Sequence, residues 1–374
     1  MNNIKKLIVT LEFPPQVGGI SSYIHNFLLH VNADDYVLYA PLMPGANEFD
    51  AKNPWKTYRY SPYFPFWPHW LRMFFQILSI LKKEKISEIH IHQVLPCGYL
   101  GWLIWKIKKI PYLIFLHGSD VAVGTRSAWK TNLFSFVLRN SRRIVANSQF
   151  LENRVKQRIE NIGPITVLYP CPSNRFLEII PESELGALRD KLAVHGKKVI
   201  LTVSRMVDGK GYPHIVRLLS EVCREVPNLV WIFIGDGPKK QSIVDLVQRH
   251  YLQNVVRFLG ALPNDELPKY YQIADLFVLL SHQDEEAEES WGSVFLEASA
   301  SGNPIVAGRV GGVEEAVDNL RSGVVVDVYQ GKAVVNAIVS LLRNDKYAKE
   351  LGRWGRERVQ KEFRWETQIA KLDE

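Results

Sequence analysis

Two acidic residues, Glu289 and Glu297, stand eight positions apart in "EESWGSVFLEASASG", residues 288–302, with an uncharged run and Gly292 between them. On one unbroken helix, positions eight apart sit roughly 80° out of line after two turns, so the carboxylates would not converge. The glycine changes this. With Glu289 in a loop after the apolar run "DLFVLLS", and a helix opening near Gly292 and Ser293, Glu297 projects from that helix close to its start. Both acids then border one crevice at the carboxyl ends of parallel strands, where open α/β sheets bind ligands. Unpaired N–H groups at a helix start suit phosphate and carboxylates suit hydroxyls, so the pattern fits a nucleotide-sugar. The competing reading is a solvated acidic loop, because "DEEAEES" holds five acids in seven positions.

A second stretch, "VSRMVDGKGYPHIV", places Arg205 and Lys210 around a glycine-rich turn that follows a strand and opens a helix. Two cations there can clamp a diphosphate, with Gly209 and Gly211 letting backbone approach it. The spacing is neither a P-loop nor G-x-G-x-x-G, and taken singly each residue also reads as a structural Arg or an exposed Lys.

These stretches need strands and helices to position them, and the chain supplies both in alternation. Apolar runs such as "KKLIVTL", "EIHIH", "PYLIFLHG" and "RRIVANS", then "KVILTVSR", "LVWIFIGDG", "DLFVLLS" and "NPIVAG", recur between amphipathic stretches. The fold class is therefore α/β, with two parallel-sheet units in series. A chain of 374 residues suits two domains, and Pro170, Pro172 and Pro181 interrupt the pattern between them. The predicted division is 1–172, 173–352 and a helical tail, 353–374.

Composition narrows the class further. With 47% hydrophobic and 23% charged residues the chain reads as soluble and globular, and its start reads as a first buried strand rather than a signal peptide. Cys97, Cys171 and Cys223 are too scattered for a zinc site and odd in number for a disulfide framework, which points to the cytosol. Charge is uneven: residues 1–176 carry 21 Lys and Arg against 10 Asp and Glu, and the remainder 25 against 29. A basic half suits nucleic acid, anionic lipid or an anionic substrate, and no nucleic-acid-binding motif accompanies it. Residues 55–85 crowd aromatics, prolines and basic side chains ahead of an apolar helix, and "WLIWKIKKI" follows at 102–110. Residues 55–110 thus read either as packing within their own domain or as a patch for an anionic membrane surface.

Taken together, "SRMVDGKGYPHIV", "IGDGP", "VRFLGALPNDELPKYYQIADLFVLLS", "ESWGSVFLEASASGNPIVAG" and "GGVEEAV" resemble glycosyltransferase family 4, retaining enzymes that use nucleotide-sugars. The form of the fourth motif is most similar to bacterial enzymes that mannosylate phosphatidylinositol-type lipids. In the first half, "EFPPQVGGISSYIHNF" resembles the family's glycine loop, "FLHGSD" its sugar-site histidine strand, and "VANSQF", with Ser148, the strand before the crossover. The resemblance implies the GT-B fold, two Rossmann-like domains facing a cleft with a last helix crossing back to the first. It implies that Arg205 and Lys210 hold the donor diphosphate, Glu289 the donor-sugar hydroxyls and Glu297 the ribose. Gly18 and Gly19 would bring backbone N–H groups near diphosphate or acceptor, and His117 would lie beside the transferred sugar.

It implies further a GDP- or UDP-sugar donor, no metal and no cofactor, and a lipid-linked or glycan acceptor at the cytosolic membrane face. A small soluble acceptor, or a silent nucleotide-binding relative, are the alternatives. Two features depart from the family: "LYPCPSNRF" replaces the usual turn between domains, and the acidic loop "SHQDEEAEES" is longer than in many relatives.

Overall fold

Runs of branched and aromatic residues, apolar at nearly every position, become parallel strands covered on both faces. The computed structural model describes residues 5–16, 18–61, 69–283 and 291–373. It divides into two units, Met1–Pro170 with Trp365–Glu374, and Cys171–Arg364.

The first unit holds a seven-stranded parallel sheet: β1 (Lys5–Val9), β2 (Tyr36–Pro41), β3 (Lys56–Tyr60), β4 (Ile86–Ile91), β5 (Tyr112–Leu116), β6 (Arg143–Ala146) and β7 (Ile165–Val167). Its order is β3-β2-β1-β4-β5-β6-β7, so the winding reverses between β1 and β4, where Leu7 pairs with Ile89 and Val9 with Ile91. Helix α1 (Gly19–Leu29) follows β1 and buries Ile20, Tyr23, Ile24, Phe27 and Leu28. These fall at i, i+3, i+4, i+7 and i+8, one face of a 3.6-residue helix. Helices α2 (His69–Glu84) and α3 (Tyr99–Lys108) flank β4 in the chain and meet through Trp70 and Tyr99, with ring centroids 5.8 Å apart.

The second unit holds six parallel strands: β8 (Lys198–Val203), β9 (Leu229–Ile234), β10 (Val256–Gly260), β11 (Leu276–Leu279), β12 (Ile305–Gly308) and β13 (Gly323–Val326). The order β10-β9-β8-β11-β12-β13 places its reversal between β8 and β11, where Ile200 pairs with Leu276 and Leu201 with Phe277. A buried polar bridge spans this junction. Trp231 Nε1 on β9 donates to Thr202 Oγ1 on β8 at 3.0 Å, and Thr202 Oγ1 donates to the Val278 carbonyl on β11. Helix α4 (Tyr212–Glu225) follows β8, α5 (Leu267–Ile273) precedes β11 and α6 (Ser293–Ala300) lies between β11 and β12.

The residues expected to form a returning tail divide between the units. Helix α7 (Asp345–Glu362) belongs to the second, pressed onto it by two glycines: a Cβ at Gly352 would lie 2.0 Å from the Gly302 carbonyl oxygen, and one at Gly355 3.2 Å from Ser299 Oγ. The return is made by α8 (Trp365–Ala370). Trp365 is buried against Tyr23 at 5.3 Å and Phe27 at 6.3 Å, and Arg143 donates to the carbonyls of Lys371 and Leu372.

One backbone position fixes the second unit's reversal point. Gly211 has φ +75°, and a Cβ there would lie 2.0 Å from the Leu280 carbonyl oxygen. Left-handed strain of about 1–2 kcal/mol then adds to about 1–3 kcal/mol of overpacking. Gly211→Ala should therefore lower stability by about 3 kcal/mol in urea unfolding. Gly196→Ala, with φ +66° and nothing within 4 Å, should lose only the strain.

Candidate active site

In the second unit the loop leaving β8 folds directly across the end of β11. Its Gly209 carbonyl accepts from His282 N at 2.9 Å, and Gly209 and Gly211 both take positive φ, +77° and +75°. Met206 is fully buried beneath the turn, and its carbonyl accepts from Lys239 N at 3.0 Å. Between these anchors the turn presents Arg205, exposed, and Lys210, half-buried, at the carboxyl end of the sheet. Asp208, on the same turn, pairs with Lys239 at 2.7 Å.

Helix α6 opens at Gly292, whose φ of +84° is left-handed, and Ser293 is its first residue. Glu297 lies one turn in, where its Oε2 accepts from Tyr271 Oη at 2.9 Å. Tyr271 is buried on α5, stacked on Phe277 at 5.6 Å, and Asn303 Nδ2 donates to its carbonyl at 2.9 Å. Burial pushes the Glu297 carboxyl up to about 7, against the opposing pull of the Tyr271 hydroxyl. The structure thus brings Arg205, Lys210, Gly292, Ser293 and Glu297 to one end of one sheet, at its winding reversal. Glu289 and its acidic neighbours 284–288 lie outside the described residues.

In the first unit the loop after β1 also sits at a winding reversal, and Gln93 Oε1, just beyond β4, accepts from Leu11 N at 2.8 Å. Gly18 is extended, and Gly19 begins α1. Neither is demanded by local packing: a Cβ at Gly18 would lie 3.4 Å from Glu12 Oε2, and one at Gly19 would meet nothing within 4 Å. The backbone there is open to approach.

His117 stands at the end of β5, 8% exposed. Asp120 Oδ1 accepts from the backbone N–H groups of His117, Gly118 and Val121 at 3.0–3.1 Å, which pins the turn, and Asn147 Nδ2 reaches the His117 carbonyl at 3.5 Å. Ser148, from "VANSQF", caps the helix after β6 by accepting from Leu151 N at 3.1 Å. Burial lowers His117 to about 3 and raises Asp120 to about 6, the three N–H groups opposing the latter shift. At neutral pH His117 is an uncharged hydrogen-bonding ring.

Sequence reasoning missed His92, whose Nδ1 lies 3.0 Å from His117 Nε2, and Tyr271, which holds Glu297. The signal for His92 was the alternation "HIH", which sets His90 and His92 on one strand face. That β4 neighbours β5 comes only from the topology. Among the described residues no group of three or more His, Cys, Asp or Glu is placed to hold a metal ion, and no helix is long and apolar enough to cross a membrane.

Two Rossmann-like parallel-sheet units in one chain are the GT-B fold of glycosyltransferases. HepE from Anabaena, crystallised with UDP, superposes with a TM-score of 0.85 over 99% of this chain and 98% of its own, at 19% identity. Residues 17–171 match the model described as Glycosyltransferase Family 4, and residues 187–358 that described as Glycosyl transferases group 1. The chain belongs to glycosyltransferase family 4. It is similar to the GDP-mannose-dependent alpha-(1-6)-phosphatidylinositol monomannoside mannosyltransferase of Mycolicibacterium smegmatis, 29% identical over 98% of this chain and 97% of that one. It is also similar to N-acetyl-alpha-D-glucosaminyl L-malate synthase of Bacillus anthracis, 24% identical over 86% of this chain and 81% of that one.

The raised Glu297 carboxyl gives a pH prediction. Its value rises from 4.5 to about 7 on folding, so the folded chain binds this proton more tightly and loses stability as pH climbs through that window. Glu297→Gln should remove the loss: its urea midpoint should gain on the parent's from about pH 4.5 to about pH 7 and hold that gain above. His117, lowered from 6.5 to about 3, has the opposite slope, with stability lost as pH falls, but it is common to both proteins and cancels in the difference.

Proposed function

We propose that this glycosyltransferase is a retaining enzyme that moves a hexose from a GDP- or UDP-sugar to a hydroxyl of a lipid-linked or glycan acceptor, without metal or cofactor. The observation that carries this is the junction of β8 and β11, where the glycine turn bearing Arg205 and Lys210 is locked to the segment that leads into α6. A diphosphate seated there meets two cations and the N-terminus of α6 at Gly292 and Ser293. Glu297 accepts from the ribose hydroxyls and Glu289 from those of the sugar. As the glycosidic bond breaks, negative charge gathers on the departing diphosphate while the anomeric carbon becomes oxocarbenium-like. Arg205, Lys210 and the helix end favour that state because they are already in place. They fill the role a divalent cation would otherwise have.

His117, neutral and fixed, orients the sugar by hydrogen bonding and is not the base. Glu12 beside Gly18 makes that loop a poor seat for diphosphate and a better one for acceptor hydroxyls. The likeness to the Mycolicibacterium smegmatis enzyme favours mannose from GDP-mannose as donor and a phosphatidylinositol-type acceptor. The described part of residues 55–110 supports work at the cytosolic membrane face by a peripheral enzyme. Leu71 and Phe75 are 41% and 61% exposed on α2, whose last turn carries Lys82 and Lys83, and Ile107 on α3 is 59% exposed among Lys106, Lys108 and Lys109. Residues 62–68 of that stretch lie outside the described residues. A small soluble acceptor is the second reading, favoured by the likeness to the malate-glycosylating enzyme of Bacillus anthracis.

The test is transfer from labelled GDP-mannose, UDP-glucose and UDP-N-acetylglucosamine to vesicles containing phosphatidylinositol or to L-malate, with EDTA present and product configuration read by NMR. An α-linked lipid product from an α-linked donor is expected. An inverted product, or none without divalent metal, contradicts the reading. Lys210→Ala and Arg205→Ala should each slow single-turnover transfer by about a hundredfold or more while leaving the melting temperature close to the parent's. Unchanged single-turnover rates would remove both residues from the donor site.

A further inference from the structure

His92 and His117 close two neighbouring strands of the first sheet, and each offers the other a ring nitrogen. Nδ1 of His92 and Nε2 of His117 are 3.0 Å apart, and the two rings are inclined by only 20°. We propose that His92 is a positioning residue for His117, donating its Nδ1 proton to His117 Nε2 and so holding His117 in the tautomer that carries its own proton on Nδ1. The proposal rests on the reading of His117 as the sugar-site histidine and deepens it.

Proton accounting selects this direction. Between two neutral imidazoles one nitrogen must donate and the other accept. If His92 accepted at Nδ1, its single proton would sit on Nε2, and that atom is buried without a hydrogen-bond partner among the described residues. Orphaned N–H donors are the rarer defect in protein interiors, so the proton belongs on Nδ1, where it has an acceptor. Both rings are buried, and burial lowers the pKa of each, so a shared cationic proton is no competitor.

The packing holds His92 in place to do this. Its ring stacks on Phe115 at 4.4 Å and 15°, while Tyr23 of α1 meets His117 edge-on at 5.0 Å and 76°. With Nε2 engaged by His92 and one flank closed by Tyr23, His117 has a single ring orientation. The proton on Nδ1 is then the one His117 carries, and a donor of that kind complements a hydroxyl or ring oxygen lone pair.

The experiment joins spectroscopy and kinetics on the full chain. Long-range proton–nitrogen NMR of histidine-labelled protein should show His117 protonated on Nδ1 in the parent. His92→Phe, which keeps the stack on Phe115 and removes the donor, should shift His117 toward the Nε2 tautomer. It should also lower kcat by roughly ten- to a hundredfold, the scale found when orienting partners of metal-bound histidines are removed, with the donor KM little changed. His92→Asn, whose amide N–H replaces the Nδ1 donor, should recover most of kcat and restores a decisive comparison where the Phe variant does not fold. An Nε2-protonated His117 in the parent overturns the proposal, as does a folded His92→Phe with the parent's kcat. The spectrum needs no donor substrate, so it separates the two ideas: His117→Ala with unimpaired transfer overturns the sugar-site reading by itself.

Discussion

The close approach of the Gly211 backbone to the Leu280 carbonyl is the constraint on which the second unit's site depends. It brings the turn after β8 within contact of the segment leaving β11, and the His282 N–H to the Gly209 carbonyl, at 2.9 Å, fastens them. Such an approach leaves no room for a side chain. Similar approaches recur along the same edge, where Gly235 faces the Ser204 carbonyl, Gly237 that of Met206 and Gly308 that of Ser281. The carboxyl edge of this sheet is therefore a layer of backbone on backbone. Cationic side chains and helix N–H groups stand on it at spacings set by covalent geometry rather than by flexible packing.

Electrostatics divides the candidate residues by role. Arg205 is exposed and Lys210 half-buried on the turn after β8, where charge costs less to maintain than in the core. Glu297, by contrast, is held by Tyr271 in surroundings that raise its carboxyl to about 7, which suits a group that exchanges hydrogen bonds with ribose hydroxyls. In the first unit, His92 and His117 stay neutral because their surroundings exclude charge. A neutral His117 can exchange hydrogen bonds with a hydroxyl, whereas His92 is committed to His117. Catalysis by placement needs rigid supports, and buried aromatics supply them: Tyr271 and Phe277 beneath Glu297, Phe115 and Tyr23 around the histidine pair.

Much of this was legible in the sequence, because parallel strands buried on both faces write themselves as unbroken apolar runs and glycines mark where backbones must approach. "LVWIFIGDG" and "PYLIFLHG" could be little else. Arg205 and Lys210 lie on the turn after a strand, His117 at a strand end and Glu297 on the helix that opens at Gly292, as the sequence pattern implied. What could not be read was anything set by strand order. His92 belongs with His117 because β4 neighbours β5, and Tyr271 with Glu297 because α5 and α6 flank β11, pairings separated by 25 and 26 positions in the chain. The tail illustrates a different limit. "LGRWGRERVQKEFRWETQIAKL" reads as one amphipathic stretch, yet it breaks near Phe363, since Gly352 and Gly355 commit its first part to the second unit and Trp365 its remainder to the first.

The central claim is a donor site that binds a nucleoside diphosphate through protein cations and backbone alone. A thermal-melting series with GDP, UDP and ADP in excess EDTA tests it most directly, because a ligand that binds only the folded chain must raise its melting temperature. A rise of several degrees with GDP or UDP in the parent, largely absent in Arg205→Ala, is the predicted result. A parent that melts unchanged with every diphosphate, or that responds only when a divalent metal replaces EDTA, would contradict the account.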